Sequence, residues 1–372
     1  MRAQNFETAP RPGKNRIFVL FSVCIPRGTD SSSSSMGDGV QYFEGVEKLL
    51  EIWFGTATSA DGGADLRKIP RNKLENLLKI VRCEIISFCR NDRVDAYVLS
   101  ESSMFVSKRR FILKTCGTTT PLLCLEPLLV LAEQYAGFTD VEDLFYSRKN
   151  YKRPELQVSP HQHFDEEVAL LDTLFPDGAA YCLGAINKDC WYLYTLNPFP
   201  EKAVKPISGS EPDQTLEILM TDLDPDIMAI FSKEECLNAE EATKKSGIDK
   251  LIPNMVIDDF LFEPCGYSMN GISKNGYYMT IHITPESDFS YVSFETNVPA
   301  SSYWEIIVKV LDTFLPGKFV VTIFSNQTSQ AKGSSKELQY LGKIRDWTRR
   351  DIQLCQFKNY DLTYAFYSKF PS

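Results

Sequence analysis

The chain reads as an α+β protein made by duplicating one α/β unit, and three observations predict it. Paired strands of alternating apolar residues, followed by an amphipathic helix, occur once in each half. The run Leu170-Leu-Asp-Thr-Leu-Phe-Pro-Asp-Gly178 resembles Val310-Leu-Asp-Thr-Phe-Leu-Pro-Gly317, and an alternating strand follows each. A polar stretch over 198–213, carrying Pro198, Pro200, Pro206 and Pro212, divides the chain into halves of roughly 41–200 and 211–365.

Taken in order, Ile17-Phe-Val-Leu-Phe-Ser-Val-Cys-Ile25 has the outline of a signal peptide after Arg11, Lys14 and Arg16. Its apolar core is minimal, and no small-x-small cleavage site follows. A serine run, Ser31 to Ser35, and then Met36 come next, so residues 1–40 read as a disordered extension or as sequence upstream of a true start at Met36. Apolar residues at 46, 49, 50, 53 and 54 predict a helix over 43–54 with one buried face. A strand is expected over 83–88, and an antiparallel hairpin joins 97–106 to 110–115 through the basic turn Ser107-Lys108-Arg109. Thr120-Pro121 opens a helix to about Ala136, with Gly137 as its C-terminal cap, and 166–175 forms another. In the second half, 277–284 and 289–295 pair as strands before a helix over 302–314; the charged segment 232–250 reads as surface helix or loop.

Among 372 residues, 43% are hydrophobic and 12% aromatic, the composition of a folded globular protein with length for a sizeable core. The net charge of −9 disfavours nucleic acid or an anionic membrane as partner and suits a cationic ligand better. No apolar run approaches the roughly 18 residues that a membrane crossing needs. The ten cysteines include no Cys-x-x-Cys pair, which points to a reducing compartment, the cytosol. Of three histidines, His161 and His163 stand in Ser159-Pro-His-Gln-His163 with no third ligand nearby; this reads as a solvated loop, and no metal site is expected.

Leu99-Ser100-Glu101-Ser102-Ser103 alone would read as an edge strand with exposed serines. It is followed by Lys108-Arg-Arg-Phe-Ile-Leu-Lys-Thr-Cys-Gly-Thr-Thr119, and far downstream by Pro264-Cys-Gly-Tyr-Ser-Met-Asn-Gly271 and Thr280-Ile-His-Ile-Thr-Pro-Glu286. In these blocks and their order, over about 41–365, the sequence resembles the eukaryotic S-adenosylmethionine decarboxylase proenzymes. The resemblance implies a four-layer α/β/β/α sandwich of two antiparallel sheets. It also implies self-cleavage at the Glu101–Ser102 bond into a β chain ending at Glu101 and an α chain beginning at Ser102, which becomes a pyruvoyl group. That group would take the substrate amine as a Schiff base and act as electron sink while CO2 leaves. The product, decarboxylated S-adenosylmethionine, supplies aminopropyl groups for spermidine and spermine synthesis.

Site residues follow from the same resemblance. His282 is the base for the α-proton of Ser102, and Ser268 assists the rearrangement. Cys116 is the acid that reprotonates the substrate α-carbon, the other nine cysteines being read as small buried hydrophobes. Glu44 and Glu47 match two further acidic active-site positions, three apart on the expected helix face. Phe43 and Phe262 stack on the adenine, Glu286 takes the ribose hydroxyls, and Glu101 belongs to the substrate site. The sulfonium charge would favour aromatic faces.

Some relatives respond to putrescine. The matching cluster is Glu51, Asp213, Thr215, Glu217 and Glu295, with Lys114 linking toward the active site and Phe145, Phe324 and Tyr360 nearby. Carboxylates gathered without matching lysines would repel unless a dication neutralised them. The plant branch places arginine in this region; here the positions are Leu49, Phe145 and Ser147, so animal-type putrescine response is expected. A homodimer of αβ units is implied too. The alternative is a catalytically inactive regulatory paralogue, which would be expected to lose the Glu-Ser bond, the acid or the base.

Overall fold

The computed structural model describes residues 7–8, 42–55, 63–196 and 211–369. The expectations for the rest of the front segment and for most of the 198–213 link lie outside the described residues. Among the described residues, two nine-stranded antiparallel sheets make up the fold. The first holds β1 (Glu7–Thr8), β2 (Lys48–Phe54), β3 (Ile85–Arg90), β4 (Val94–Leu99), β5 (Ser102–Ser107), β6 (Arg110–Thr115), β7 (Val141–Lys149), β8 (Gly178–Gly184) and β9 (Cys190–Leu196), ordered β1-β3-β4-β5-β6-β2-β7-β9-β8. The second holds β10 (Gln214–Thr221), β11 (Val256–Leu261), β12 (Tyr267–Ile272), β13 (Tyr278–Thr284), β14 (Tyr291–Thr296), β15 (Lys318–Asn326), β16 (Lys343–Ile344), β17 (Trp347–Gln356) and β18 (Tyr360–Ser368). Its order is β11-β12-β13-β14-β10-β15-β18-β17-β16.

The duplication is visible in the topology. Without β1 and β16 the two orders match strand for strand, β2 and β10 holding the same central place. Helices fall in the same intervals: α1 (Arg71–Val81) follows β2 as α4 (Pro225–Ala229) and α5 (Ala239–Ser246) follow β10. Likewise α2 (Leu125–Leu131) follows β6 as α6 (Trp304–Phe314) follows β14, and α3 (Phe164–Leu174) follows β7 as α7 (Lys332–Tyr340) follows β15. The similar runs at 170–178 and 310–317, however, lie on α3–β8 and α6–β15, which are not equivalent pieces. Their likeness is the common chemistry of a helix that turns into a strand.

Four layers follow from the packing. Leu50, Ile52, Met104 and Leu113 pack outward against Leu74, Leu77, Leu128 and Leu171 of α1–α3, and the second sheet packs likewise against Ile307, Val310 and Leu338 of α6 and α7. Between the sheets, Phe145 and Leu193 meet Leu219, Val320 and Leu362, while Phe105 and Ile112 meet Ile272 and Tyr278. The helix expected over 120–136 is a run of 3-10, α and π turns that ends at Gly137 with φ +77.

Two expected elements differ. Residues 43–54 are not a helix: 42–47 are irregular and 48–54 are strand β2. A helical pattern assumes that the polar residues face water, yet Glu47, Lys48 and Glu51 are buried. Leu50, Ile52 and Phe54 face the outer helices instead, in the alternation of a strand covered on both sides. Residues 97–106 are not one strand either. They break at Ser100–Glu101 into β4 and β5, and β5 is an interior strand flanked by β4 and β6, not an edge.

Candidate active site

The break between β4 and β5 is a two-residue hairpin turn in which Leu99 pairs with Ser102. Such turns normally place positive φ on their central residues. Here the positive φ falls on the next one, Ser102, at +98. For a residue with a Cβ that conformation costs on the order of 1–3 kcal/mol. The Ser102 side chain is buried, with the Glu47 carboxylate and the Cys116 thiol as its polar neighbours. Strain and a buried hydroxyl beside a carboxylate therefore coincide at the carboxyl side of the Glu101–Ser102 bond. That is where an attack on the Glu101 carbonyl would start.

Ser102 opens into a concave cleft, the form that small-molecule sites take. Phe43, Glu101, Cys116, Phe262, Ser268, His282 and Glu286 all line it, so the structure gathers these expected residues from five separate stretches of sequence. One Glu286 carboxylate oxygen is buried without a partner, and burial pushes the group's pKa up. That is a free acceptor for a ligand hydroxyl.

His282 and Ser268 face each other directly because β12 and β13 pair them in register. The histidine Nδ1 lies 2.9 Å from Ser268 Oγ, and Nε2 lies 2.9 Å from Thr280 Oγ1. Burial drives its pKa down to about 4 against the pull of Glu47, 3.9 Å from Nε2. It is thus neutral at pH 7 and able to accept a proton.

Cys116 ends the segment after β6, and its thiol donates to Glu101 Oε2 over 3.6 Å. Burial, then the Glu101 carboxylate, push the thiol pKa well up, so it is held protonated. Glu101 is itself pushed up to about 7 by burial. The next residue, Gly117, takes φ +61, and a Cβ there would meet the Phe43 ring at 3.0 Å and Glu101 Oε2 at 3.3 Å. Only glycine lets this turn close on both groups.

Behind the cleft, between the sheets, runs a buried charge cluster. Lys114 lies 2.7 Å from Glu295, 3.1 Å from Glu217 and 3.6 Å from Glu47. Burial opposes its charge, but the three carboxylates outweigh that and raise its pKa. Glu47 ends below the ordinary carboxylate range: burial pushes it up, and Lys114, His282 and the Ser293 and Ser102 hydroxyls together more than compensate. Arg110 extends the cluster, 2.8 Å from Glu51 and 3.5 Å from Asp213, and donates to Thr215 over 3.2 Å. The premise that these carboxylates lack cations is therefore corrected, since Arg110 and Lys114 sit among them. Burial still raises Glu51 and Asp213, and Glu217 rises to about 7. Phe145 packs edge-on against Phe324 and Tyr360, each 5.2 Å away, and Tyr360 donates to Asp213.

Other expectations change. Glu44 does not share a helix face with Glu47; its carboxylate takes bonds from Tyr42 Oη at 2.7 Å and the Lys152 N–H at 3.2 Å. His161 is not solvated. It is fully buried, 2.7 Å from Glu167, which also holds Tyr146 and Arg148. A loop can bury a histidine when a carboxylate on the neighbouring helix satisfies it. Cys182 is exposed, and Cys265 and Cys355 are half-buried, so not every cysteine apart from Cys116 is a core residue. Among the described residues no cluster of three His, Cys, Asp or Glu could hold a metal.

Residues 40–368 match the model of the family described as adenosylmethionine decarboxylase. The chain belongs to the adenosylmethionine decarboxylase family. It is 57% identical over 338 residues to the S-adenosylmethionine decarboxylase proenzyme of Drosophila melanogaster, covering 89% of this chain and 96% of that one. The Xenopus laevis proenzyme is 53% identical over 328 residues, covering 88% and 96%. Among solved structures, the Trypanosoma brucei AdoMetDC-delta26 monomer aligns with a TM-score of 0.54 at 28% identity, over 72% of this chain and 99% of that one. Within this member of the decarboxylase family, the sequence reading missed Arg110 in the charge cluster and Thr280 beside His282. It also missed Asn270, whose Oδ1 accepts from Ser103 Oγ at 2.8 Å. Arg110 opens the strand just after the basic turn Ser107-Lys108-Arg109, where a charged side chain reads as solvent-exposed; the register of β6 against β2 turns it inward.

Proposed function

We propose that this chain is a self-processing decarboxylase that converts S-adenosylmethionine to its decarboxylated form and CO2, supplying aminopropyl groups for spermidine and spermine synthesis. The observation that carries the reading is one cleft holding a strained Ser102, a neutral His282–Ser268 pair and a protonated Cys116. In processing, Ser102 Oγ attacks the Glu101 carbonyl carbon, and the peptide C–N bond breaks to leave an ester. His282 takes the Ser102 α-proton, the Glu101 carboxylate departs, and water replaces the resulting enamine nitrogen, releasing ammonia. Ser102, strained and lining a cleft with the Cys116 thiol adjacent, fits a pyruvoyl group at that position. When present, that group supplies the electron sink for loss of CO2 from an amino acid.

The chain's own residues then do the rest. Phe43 and Phe262 take the adenine between them, Glu286 accepts the ribose hydroxyls, and Cys116 Sγ delivers the proton to the α-carbon. All five residues of the processing and acid sets, Glu101, Ser102, Cys116, Ser268 and His282, are retained, so nothing favours an inactive paralogue. Putrescine is the proposed activator. Five carboxylates, Glu47, Glu51, Asp213, Glu217 and Glu295, outnumber the cations Arg110 and Lys114 in the buried cluster. A diamine there would take up the charge left over. We also propose a homodimer, through the open edges at β8 or β16, and a cytoplasmic location, in keeping with free thiols at all nine described cysteines.

Carboxyl-labelled S-adenosylmethionine supplied to the purified protein, with and without putrescine, tests the reading. Release of labelled CO2 that putrescine accelerates, and that Ser102→Ala abolishes, is the expected result. No release from fully cleaved protein overturns the activity, and release indifferent to putrescine overturns the activator.

A further inference from the structure

Lys48 begins the central strand β2, and its side chain is fully buried. Its ammonium donates to the Gly117 carbonyl at 2.8 Å and to Gln157 Oε1 at 3.2 Å. Both partners are neutral. A buried cation held only by neutral acceptors is costly and uncommon. Lys114, at the other end of the same neighbourhood, has three carboxylates within 4 Å.

What Lys48 holds is the turn that carries the acid. Gly117 N–H donates to the Glu44 carbonyl at 2.8 Å, and Thr119 Oγ1 caps the Cys116 carbonyl at 2.7 Å. With Lys48 on the Gly117 carbonyl, both peptide units after Cys116 are tied, and the turn lies against Phe43 and Glu101. The charged and titratable groups facing the ammonium are Cys116, Glu167, Arg148, Glu44, Glu101, His161, Cys83 and Tyr151, whose ring centroid is 5.5 Å away. Of these, Cys116 is the one that must change its charge during turnover.

We propose that Lys48 is a positioning residue for protonation of the substrate α-carbon, anchoring the Cys116–Gly117 turn and holding a positive charge beside the thiol when it gives up its proton. The S–H bond breaks, a C–H bond forms at the α-carbon, and the electron pair stays on sulfur. The ammonium offsets that charge until a solvent proton returns. A displaced or uncompensated thiol would let the proton arrive on the wrong carbon. Water would then hydrolyse the C=N bond on the substrate side, the decarboxylated substrate would leave as an aldehyde, and its nitrogen would stay behind as the amine of an alanine at position 102, ending activity. This inference rests on the reading of Cys116 as the acid.

The test uses Lys48→Met, Lys48→Gln and Lys48→Arg beside Cys116→Ala, each in the full chain and each checked for cleavage by mass. Lys48→Gln keeps a donor for the Gly117 carbonyl without the charge, and Lys48→Arg keeps the charge. In cleaved Lys48→Met and Lys48→Gln, kcat should fall about tenfold with KM little changed. The fraction of α chains beginning with alanine, read from the first peptide's mass, should rise per turnover, and Lys48→Arg should recover most of both. In an uncleaved Ser102→Ala background, the pH midpoint for iodoacetamide alkylation of Cys116 should move up by about one unit in Lys48→Met. That readout needs no processed enzyme. Wild-type kcat and alanine fraction in Lys48→Met and Lys48→Gln, or an unmoved alkylation midpoint, overturn the proposal. If Cys116→Ala turns over normally, the acid lies elsewhere and the underlying reading fails. If Cys116→Ala is inactive while Lys48→Met is normal, only the Lys48 inference falls.

Discussion

Replacing Lys114 by methionine removes one cation from among three buried carboxylates, and the cost can be worked from the distances. Glu295 at 2.7 Å and Glu217 at 3.1 Å lose a direct ion pair, and Glu47 at 3.6 Å loses its closest counter-charge. Breaking a buried pair from one side costs ~3–5 kcal/mol, because the remaining charge stays desolvated. The carboxylates can escape part of that by taking protons. Without Lys114 their folded pKa values rise above the unfolded value of about 4.3. The penalty is then full well above those folded values and is relieved as pH falls through them. Glu217, raised to about 7 even with Lys114 present, should be the first to protonate. At about 1.4 kcal/mol per pH unit per group, the loss at pH 5.5 should be smaller than at pH 7.5 by ~2–3 kcal/mol. Urea denaturation of Lys114→Met in a Ser102→Ala background, at both pH values, measures this in one uncleaved species. A loss under about 1 kcal/mol at pH 7.5, or an equal loss at both pH values, would refute the reasoning.

His282, lowered to about 4 by burial, takes a proton more readily in the unfolded chain. Its contribution to stability is present above pH 6.5 and lost as pH falls toward 4, ~3 kcal/mol in all, and His282→Gln should remove that part of the acid sensitivity. Uncatalysed by any other base, cleavage of His282→Gln should stop before two chains appear, seen by mass at neutral pH. Glu101, raised to about 7, has the opposite sign: folding loses stability as pH rises from 4.5 to 7. In the Ser102→Ala background, Glu101→Gln should therefore match its parent at pH 4.5 and exceed it by up to ~3 kcal/mol at pH 8. At Gly117, φ +61 and the 3.0 Å approach to Phe43 make alanine strained. Gly117→Ala should cost ~1–2 kcal/mol in thermal denaturation and raise KM more than it lowers kcat.

Much of this site could be read from residue blocks, because the groups that do chemistry, Ser102, Cys116, Ser268 and His282, each stand within a separate run of fixed composition. Alternation also places the strand pairs, and β13 and β14 differ from the expected spans only at their ends. What failed was every inference that equated polar with exposed. Glu47, Lys48 and Glu51 made β2 look like one face of a helix, yet they alternate between two buried charge networks on either side of a central strand. His161 reads as solvated because its partner Glu167 lies on the next helix, six residues on, where sequence carries no sign of contact. The turn at Ser100–Glu101 was invisible for another reason. It contains no Gly, Pro or Asn, and the fold pays its strain at Ser102, where the chemistry uses it.

The central claim is that the chain cuts itself at a strained serine. The most direct test is the mass of the purified protein, expressed from Met36 and denatured. Two chains meeting at Glu101 and Ser102, the larger bearing a blocked N-terminus that reacts with a carbonyl reagent, are the predicted result. A single intact chain, stable over days with putrescine present, would contradict it.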